Sequence, residues 1–226
     1  MIPDWKLADE SLGNIEVIGN ENNQPVNIIG VAEGLKCIGI GTDAAVFYYH
    51  KTPAYVFKVY SSQALKKREV EEYVYEHLKG SRFFPKLYGN GPNYIVLSFE
   101  QGITFYDCLL QGIPITQQAI RDVEDARVYV LSQGLNPRDI HLKNILLQNG
   151  RGKVLDVSEY VKEGNDQRWE HLVWAYNNFY PFISGVQVPL WILETIKHLY
   201  YRIDLAGFVL EGFSRRVSRL FIKQRK

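Results

Sequence analysis

"LNPRDIHLKNILLQNGRGKVLDVSEY", residues 135–160, sets two aspartates and an asparagine around two short apolar runs. "NILL" and "KVLDV" read as strands, and Asn149-Gly150 between them is a strong hairpin-turn signal, because a tight hairpin turn needs residues that accept positive φ. A hairpin centred there pairs positions whose numbers sum to about 300, which sets Asn144 across from Asp156 at the open end of the ladder. An amide oxygen and a carboxylate side by side are hard oxygen ligands, suited to a Mg²⁺ ion that phosphate oxygens already hold. Asp139 precedes the first strand by one short loop and brings a further carboxylate to the same opening. Alone, Asp139 or Asn144 reads as a turn residue. Together with Asp156 they point to a phosphate-and-metal site.

Toward the N-terminus the chain reads as strands broken by turns. "NIEVIG" and "VNIIG" flank the polar turn "NENNQP", and "LKCIGIG", "AAVFYYH" and "AYVFKVY" follow, rich in β-branched and aromatic residues. "SQALKKREVEEYVYEHLKG" is predicted to be a helix ended by Gly80, and "PKLYGNG" and "YIVLSFE" are two more strands. Past Gly102 the character changes. "TQQAIRDVEDARVYVLSQG" has an N-cap in Thr116 and apolar residues Ile120, Val123, Val128 and Leu131 at helical spacing. Beyond Asp166 the chain reads as mostly helical. The expected fold class is α+β, with a β-rich antiparallel N-lobe over residues 1–100 and a mainly helical C-lobe over residues 101–226.

Composition sets the remaining bounds. A hydrophobic fraction of 46% with 23% charged residues is that of an ordinary globular protein. The net charge of +1 gives no global pull toward nucleic acid or an acidic membrane. "FSRRVSRLFIKQRK", residues 213–226, is the exception, with six Lys or Arg and no acid. Val217, Leu220 and Phe221 share a helical face there, so the tail reads either as a weak contact for an anionic membrane or as a helix packed on the C-lobe. Cys37 and Cys108 lie far apart with no metal-ligand spacing, which excludes a disulfide scaffold and any usual zinc site. Leu172–Leu193 carries no charge but is interrupted by Asn177, Asn178, Pro181 and Pro189, so it reads as a buried helix, a loop and a second helix start, not a bilayer span. No secretory leader is recognised in "MIPDWKLADE", and a cytoplasmic location is expected.

"RDIHLKN" resembles the catalytic loop of the protein-kinase-like superfamily, R-D-x-x-x-x-N, and "LDVS" stands in the place of its D-F-G. The resemblance covers roughly residues 35–175. It implies that Asp139 is the catalytic base and that Asn144 and Asp156 hold Mg²⁺ or Mn²⁺ with ATP. "IGIGTDAAVF" resembles the glycine-rich phosphate loop, with Gly39 and Gly41 matching and Ala44 in place of the third glycine. "YVFKVY" resembles the strand carrying the phosphate-binding lysine, Lys58. Glu71 looks like its helix partner, since Tyr75 and Leu78 form one apolar face beside it, with Glu69 and Glu72 as rivals. "VLSFEQG" resembles the linker strand, which puts backbone near Glu100 against adenine.

The pattern also departs from the family. Pro137 replaces the catalytic-loop histidine, and His141 stands where Ser/Thr kinases place a lysine, as in bacterial and small-molecule kinase-like enzymes. Lys143 is a candidate for the missing charge. No A-P-E stretch follows Asp156, and a long activation segment does not fit before "DQRWEHLVWAY". The resemblance implies an ATP- and Mg²⁺-dependent phosphotransferase acting on a protein or small-molecule hydroxyl, with a Ser/Thr protein kinase as first choice. The alternative is a pseudokinase that senses nucleotide or serves as a scaffold.

Overall fold

The computed structural model describes residues 3–22 and 24–202. The basic stretch 213–226 lies outside the described residues. The chain opens with a 3-10 turn, Asp4–Ala8, and the short helix α1, Asp9–Gly13. Strands β1 (Glu16–Ile18) and β2 (Asn27–Ile29) form an antiparallel ribbon. A five-stranded antiparallel sheet follows, built from β3 (Leu35–Ile40), β4 (Ala44–Tyr49), β5 (Tyr55–Tyr60), β6 (Leu87–Asn90) and β7 (Tyr94–Ser98) in the order β3-β4-β5-β7-β6. Helix α2, Leu65–His77, crosses between β5 and β6. Gly80, at φ +86°, lies just beyond its end, in a backbone region open to glycine.

The rest is mainly helical: α3 (Phe105–Gln111), α4 (Gln117–Ser132), α5 (Arg168–Asn178) and α6 (Leu190–Arg202). Between them lies a small sheet of β8 (Ile103–Thr104), β9 (Ile145–Gln148) and β10 (Arg151–Val154), ordered β10-β9-β8. The fold is therefore α+β, with an antiparallel-sheet N-terminal part and a helical C-terminal part, as expected. Thr116 caps α4 by accepting from the Ala119 amide. Thr104 does the same for α3, a short helix and cap that the apolar pattern did not mark.

The two faces of the large sheet have different partners, because alternate strand residues point to opposite sides. Phe47, Phe57, Val59, Tyr94 and Val96 face outward and are covered by Trp5, Ala8, Leu12, Val17 and Val26 from the N-terminal segment. Ala44, Val56, Ile95 and Leu97 face inward and join Val74, Tyr75 and Leu78 of α2. That cluster continues without a break into Val123, Ala126 and Val130 of α4 and Ile145 and Val154 of the hairpin.

Three expectations are corrected in detail. The buried stripe of α4 is Ala119, Asp122, Val123, Ala126 and Val130, whereas Val128 and Leu131 are exposed. Small residues face inward because β10 comes close: a Cβ at Gly152 would sit 2.4 Å from the Ala119 carbonyl oxygen. The hairpin register also differs by one. Gln148 pairs with Arg151 and Ile145 with Val154, and the Leu155 amide donates to the Asn144 carbonyl, so Leu155 lies opposite Asn144. The tight turn is Asn149-Gly150, with φ of +50° and +76°. Finally, α5 is half-buried, anchored by Trp169. Among the described residues no helix is long and apolar enough to cross a membrane.

Candidate active site

The inner face of β5 and the facing side of α2 make the first half of the site. Lys58, on β5, pairs with Val46 on β4 and Ile95 on β7, so it projects from the middle of the sheet. Its Nζ donates to both carboxylate oxygens of Glu71, at 2.6 and 2.7 Å. Glu71 is completely buried, and Tyr60 donates a third hydrogen bond to its Oε2 at 2.6 Å. Glu72 instead binds Arg68 at 2.8 Å, and Glu69 is exposed. The geometry thus selects Glu71 among the three acids. A buried carboxylate needs such partners, since an unpaired one would carry the full cost of losing water.

The hairpin supplies the second half. Asp156 lies just past β10, with Oδ2 3.5 Å from Lys58 Nζ and Oδ1 accepting from the Ser158 amide at 3.0 Å. Burial alone would raise its carboxyl, but Lys58 and the Ser158 amide outweigh that and hold it below its ordinary value. Burial likewise works against the charged form of Lys58, yet Asp156 and Glu71 hold the ammonium above its ordinary value. The Tyr75 hydroxyl of α2 donates to the Leu155 carbonyl at 2.6 Å, tying the helix of Glu71 to the residue before Asp156.

Asp139 completes the group. Its φ is +56°, a conformation that costs energy for a residue with a side chain and persists only where neighbours enforce it. Its amide donates to Asp166 Oδ2 at 2.8 Å, and its carbonyl accepts from Asn144 Nδ2 at 3.3 Å. Its carboxylate accepts from Arg168 Nη1. Burial pushes the Asp139 carboxyl up to about 6, opposed by Arg168 and assisted by Asp156, Asp166 and Glu159. Burial together with Arg168 lowers the His141 ring below its ordinary value.

The other expected residues take varied places. Gly39 sits at an irregularity of β3, and the Gly41 amide donates to the Ala44 carbonyl at 2.8 Å, closing a three-residue loop over 41–43. Neither glycine has positive φ, and Ala44 lies within β4, paired with Tyr60. Lys67 of α2 holds the loop's Asp43 at 2.6 Å. The Glu100 side chain turns away to Lys153 of β10, at 2.6 Å, and so joins the linker to the hairpin. Lys143 lies over the Tyr106 ring, 4.5 Å from its centroid, whereas the cation on Asp139 is Arg168. Arg168, Tyr60 and the linker clamp Lys153 are site residues that the motifs did not mark.

Oxygen ligands are available but few. Among the described residues no group of three His, Cys, Asp or Glu could hold a metal by itself. Asp156 keeps an ionised carboxylate with its side chain 35% exposed, and Asn144 spends its amide nitrogen on Asp139, so that its oxygen could serve as a ligand. Such a pair fits an ion that arrives with phosphate oxygens and water, not a self-sufficient protein cage.

A lysine on the central strand paired to a buried helix glutamate, above a hairpin carrying Asn144 and Asp156, is the arrangement of a kinase-like fold. No protein-family model matches the chain. It is 35% identical over 191 residues to "Putative serine/threonine-protein kinase YrzF" of Bacillus subtilis (strain 168), across 81% of this chain and 87% of that protein. The chain belongs to the protein-kinase-like family.

Proposed function

We propose that the protein is an ATP- and Mg²⁺-dependent phosphotransferase that moves the γ-phosphate to a hydroxyl, most simply that of a serine or threonine. The observation that carries this reading is that Lys58 binds Glu71 and lies 3.5 Å from Asp156, while Asn144 bonds the Asp139 main chain and Asp139 feels the charge of Asp156. A scaffold has no need to keep all of them. Lys58 would contact the phosphates, and Asp156 with the Asn144 oxygen would hold Mg²⁺, which supplies charge neutralisation when bound. Asp139 would accept the proton of the acceptor hydroxyl. Most of the rate enhancement would come from alignment and fixed charge.

The relative's name supports a Ser/Thr acceptor, but the segment after Asp156 favours a second reading of its size. Only residues 157–167 separate Asp156 from α5, which leaves little platform for a folded protein. A flexible peptide or a small alcohol is the acceptor class that this opening suits. Purified protein with γ-labelled ATP, Mg²⁺ or Mn²⁺ and a panel of peptide and small-molecule acceptors tests both. Asp139→Asn should keep the ATP-induced rise in melting temperature and lose transfer. Asp156→Asn should lose the metal-dependent part of that rise. No melting shift at millimolar ATP with either metal would remove the reading altogether.

A further inference from the structure

Arg168 is the first residue of α5, and its surroundings are built around Asp139. Asp166 accepts from the Arg168 amide at 3.1 Å through Oδ1 and from the Asp139 amide at 2.8 Å through Oδ2. The Arg168 Nε lies 3.7 Å from the same Oδ2, while its Nη1 bonds the Asp139 carboxylate. The Asp139 main chain is thus held by Asp166 and Asn144. Among the described residues, its carboxylate is held by Arg168 alone. Lys143, in the same loop, is engaged with Tyr106.

We propose that Arg168 is a positioning residue for phosphoryl transfer, holding Asp139 Oδ1 so that Oδ2 is presented to the acceptor hydroxyl; this rests on the phosphotransferase reading above. In that step the hydroxyl proton passes to Oδ2 as the acceptor oxygen bonds the γ-phosphorus. The bond from phosphorus to the β–γ bridging oxygen breaks, and ADP leaves with the electron pair. The proton then returns to water when the product departs. An arginine suits the place because its planar fork addresses Asp139 and Asp166 in two fixed directions, which a lysine's single ammonium does not do.

The test is steady-state kinetics on Arg168→Ala and Arg168→Lys in the full chain. Misplacing a reacting group by about 1 Å costs on the order of 100-fold, so Arg168→Ala should lose about that factor in kcat with the KM for ATP unchanged. Arg168→Lys should fall between, and millimolar guanidinium should restore part of the turnover of Arg168→Ala. The ATP-induced melting shift should match wild type in both. If Arg168→Ala does not melt cooperatively, Arg168→Gln, which keeps the stem and an amide donor, carries the same comparison. Wild-type kcat in the variant would overturn the assignment, as would a loss of ATP binding parallel to the loss of turnover. A wild-type protein that binds ATP but transfers phosphate to no acceptor and not to water would remove the phosphotransferase reading, and this inference with it.

Discussion

Glu71 has no exposed surface, and among the described residues its three hydrogen bonds come from two side chains, Lys58 and Tyr60. Removing one partner of such a pair leaves a charge stranded away from water, which costs about 3–5 kcal/mol, whereas replacing both by apolar groups is far milder. Lys58→Met alone should therefore destabilise strongly, and Lys58→Met with Glu71→Leu should recover much of the loss. Chemical denaturation of the two singles and the double reads this as a coupling. Simple additivity would show that the pair is not a unit. Tyr60→Phe removes one hydrogen bond and should cost about 1–2 kcal/mol. At this scale the sequence was informative wherever a residue's partner is set by helix phase or strand order. Glu71 could be chosen over Glu69 and Glu72 because Tyr75 and Leu78 marked the inward face, and both are buried. Arg168 and Tyr60 could not be found that way. Their bonds to Asp139 and Glu71 depend on where a helix starts and how a strand turns in space, which no spacing motif records.

The longer elements were legible in kind and order, and less so in phase, whereas the short α1, β8 and α3 were not marked. Both strands of the central hairpin were marked by their apolar runs and by Asn149-Gly150, yet the register came out one residue away from the expected pairing. A two-residue turn is centred between its residues, so the mirror falls at 149.5, not 150. That half-step puts Leu155, not Asp156, opposite Asn144. The apolar spacing of α4 marks bulky Val128 and Leu131, whereas the side that meets β10 must be small. In that stripe lies Asp122, 1% exposed, which accepts from Arg151 twice at 2.6 Å and from the Gly152 amide at 3.0 Å. Burial would raise its carboxyl, but Arg151, the Gly152 amide and Gln118 together hold it below the ordinary value. A carboxyl depressed on folding contributes stability above its unfolded value of about 3.9, and that contribution fades as pH falls through the folded value. Asp122→Asn should therefore flatten the acid limb of a stability-versus-pH curve measured by urea melts. At neutral pH it should cost about 2 kcal/mol through the weakened bonds. An acid limb identical to wild type would show that Asp122 is not the group being titrated.

Across the whole molecule, the site rests on cover from behind and on a preformed floor. Trp5 is 6% exposed and packs on the outer face of the sheet whose inner face carries Lys58. Trp5→Ala should cost about 3 kcal/mol, a typical large-to-small loss in a core, and thermal melts of the full chain measure it. The floor is the segment after Asp156, where many protein kinases keep a long loop that phosphorylation orders. Here the segment is packed and hydrogen-bonded to its neighbours. Val157 and Tyr160 are buried, and the Asn136 amide donates to the Tyr160 carbonyl at 2.8 Å. The Asn136 side chain bonds the carbonyls of Lys162 and Gly164 at 2.6 and 2.7 Å, and Arg138 bonds that of Glu163. Arg138, the arginine beside Asp139, is thus tied through Nη1 to the main chain of this segment. The available hydroxyls are poor switches. Tyr160 is buried, and among the described residues its oxygen has no partner, so adding phosphate would require the segment to unfold. Ser158 donates its amide to Asp156, and a phosphate there would repel that carboxylate instead of ordering a loop. Phosphatase-treated protein should therefore keep full ATP turnover. Tyr160→Phe should be silent or slightly stabilising, because it removes a buried hydroxyl that makes no bond among the described residues. Turnover that vanished on phosphatase treatment and returned with phosphate on Ser158 or Tyr160 would mean that this floor is built only after modification.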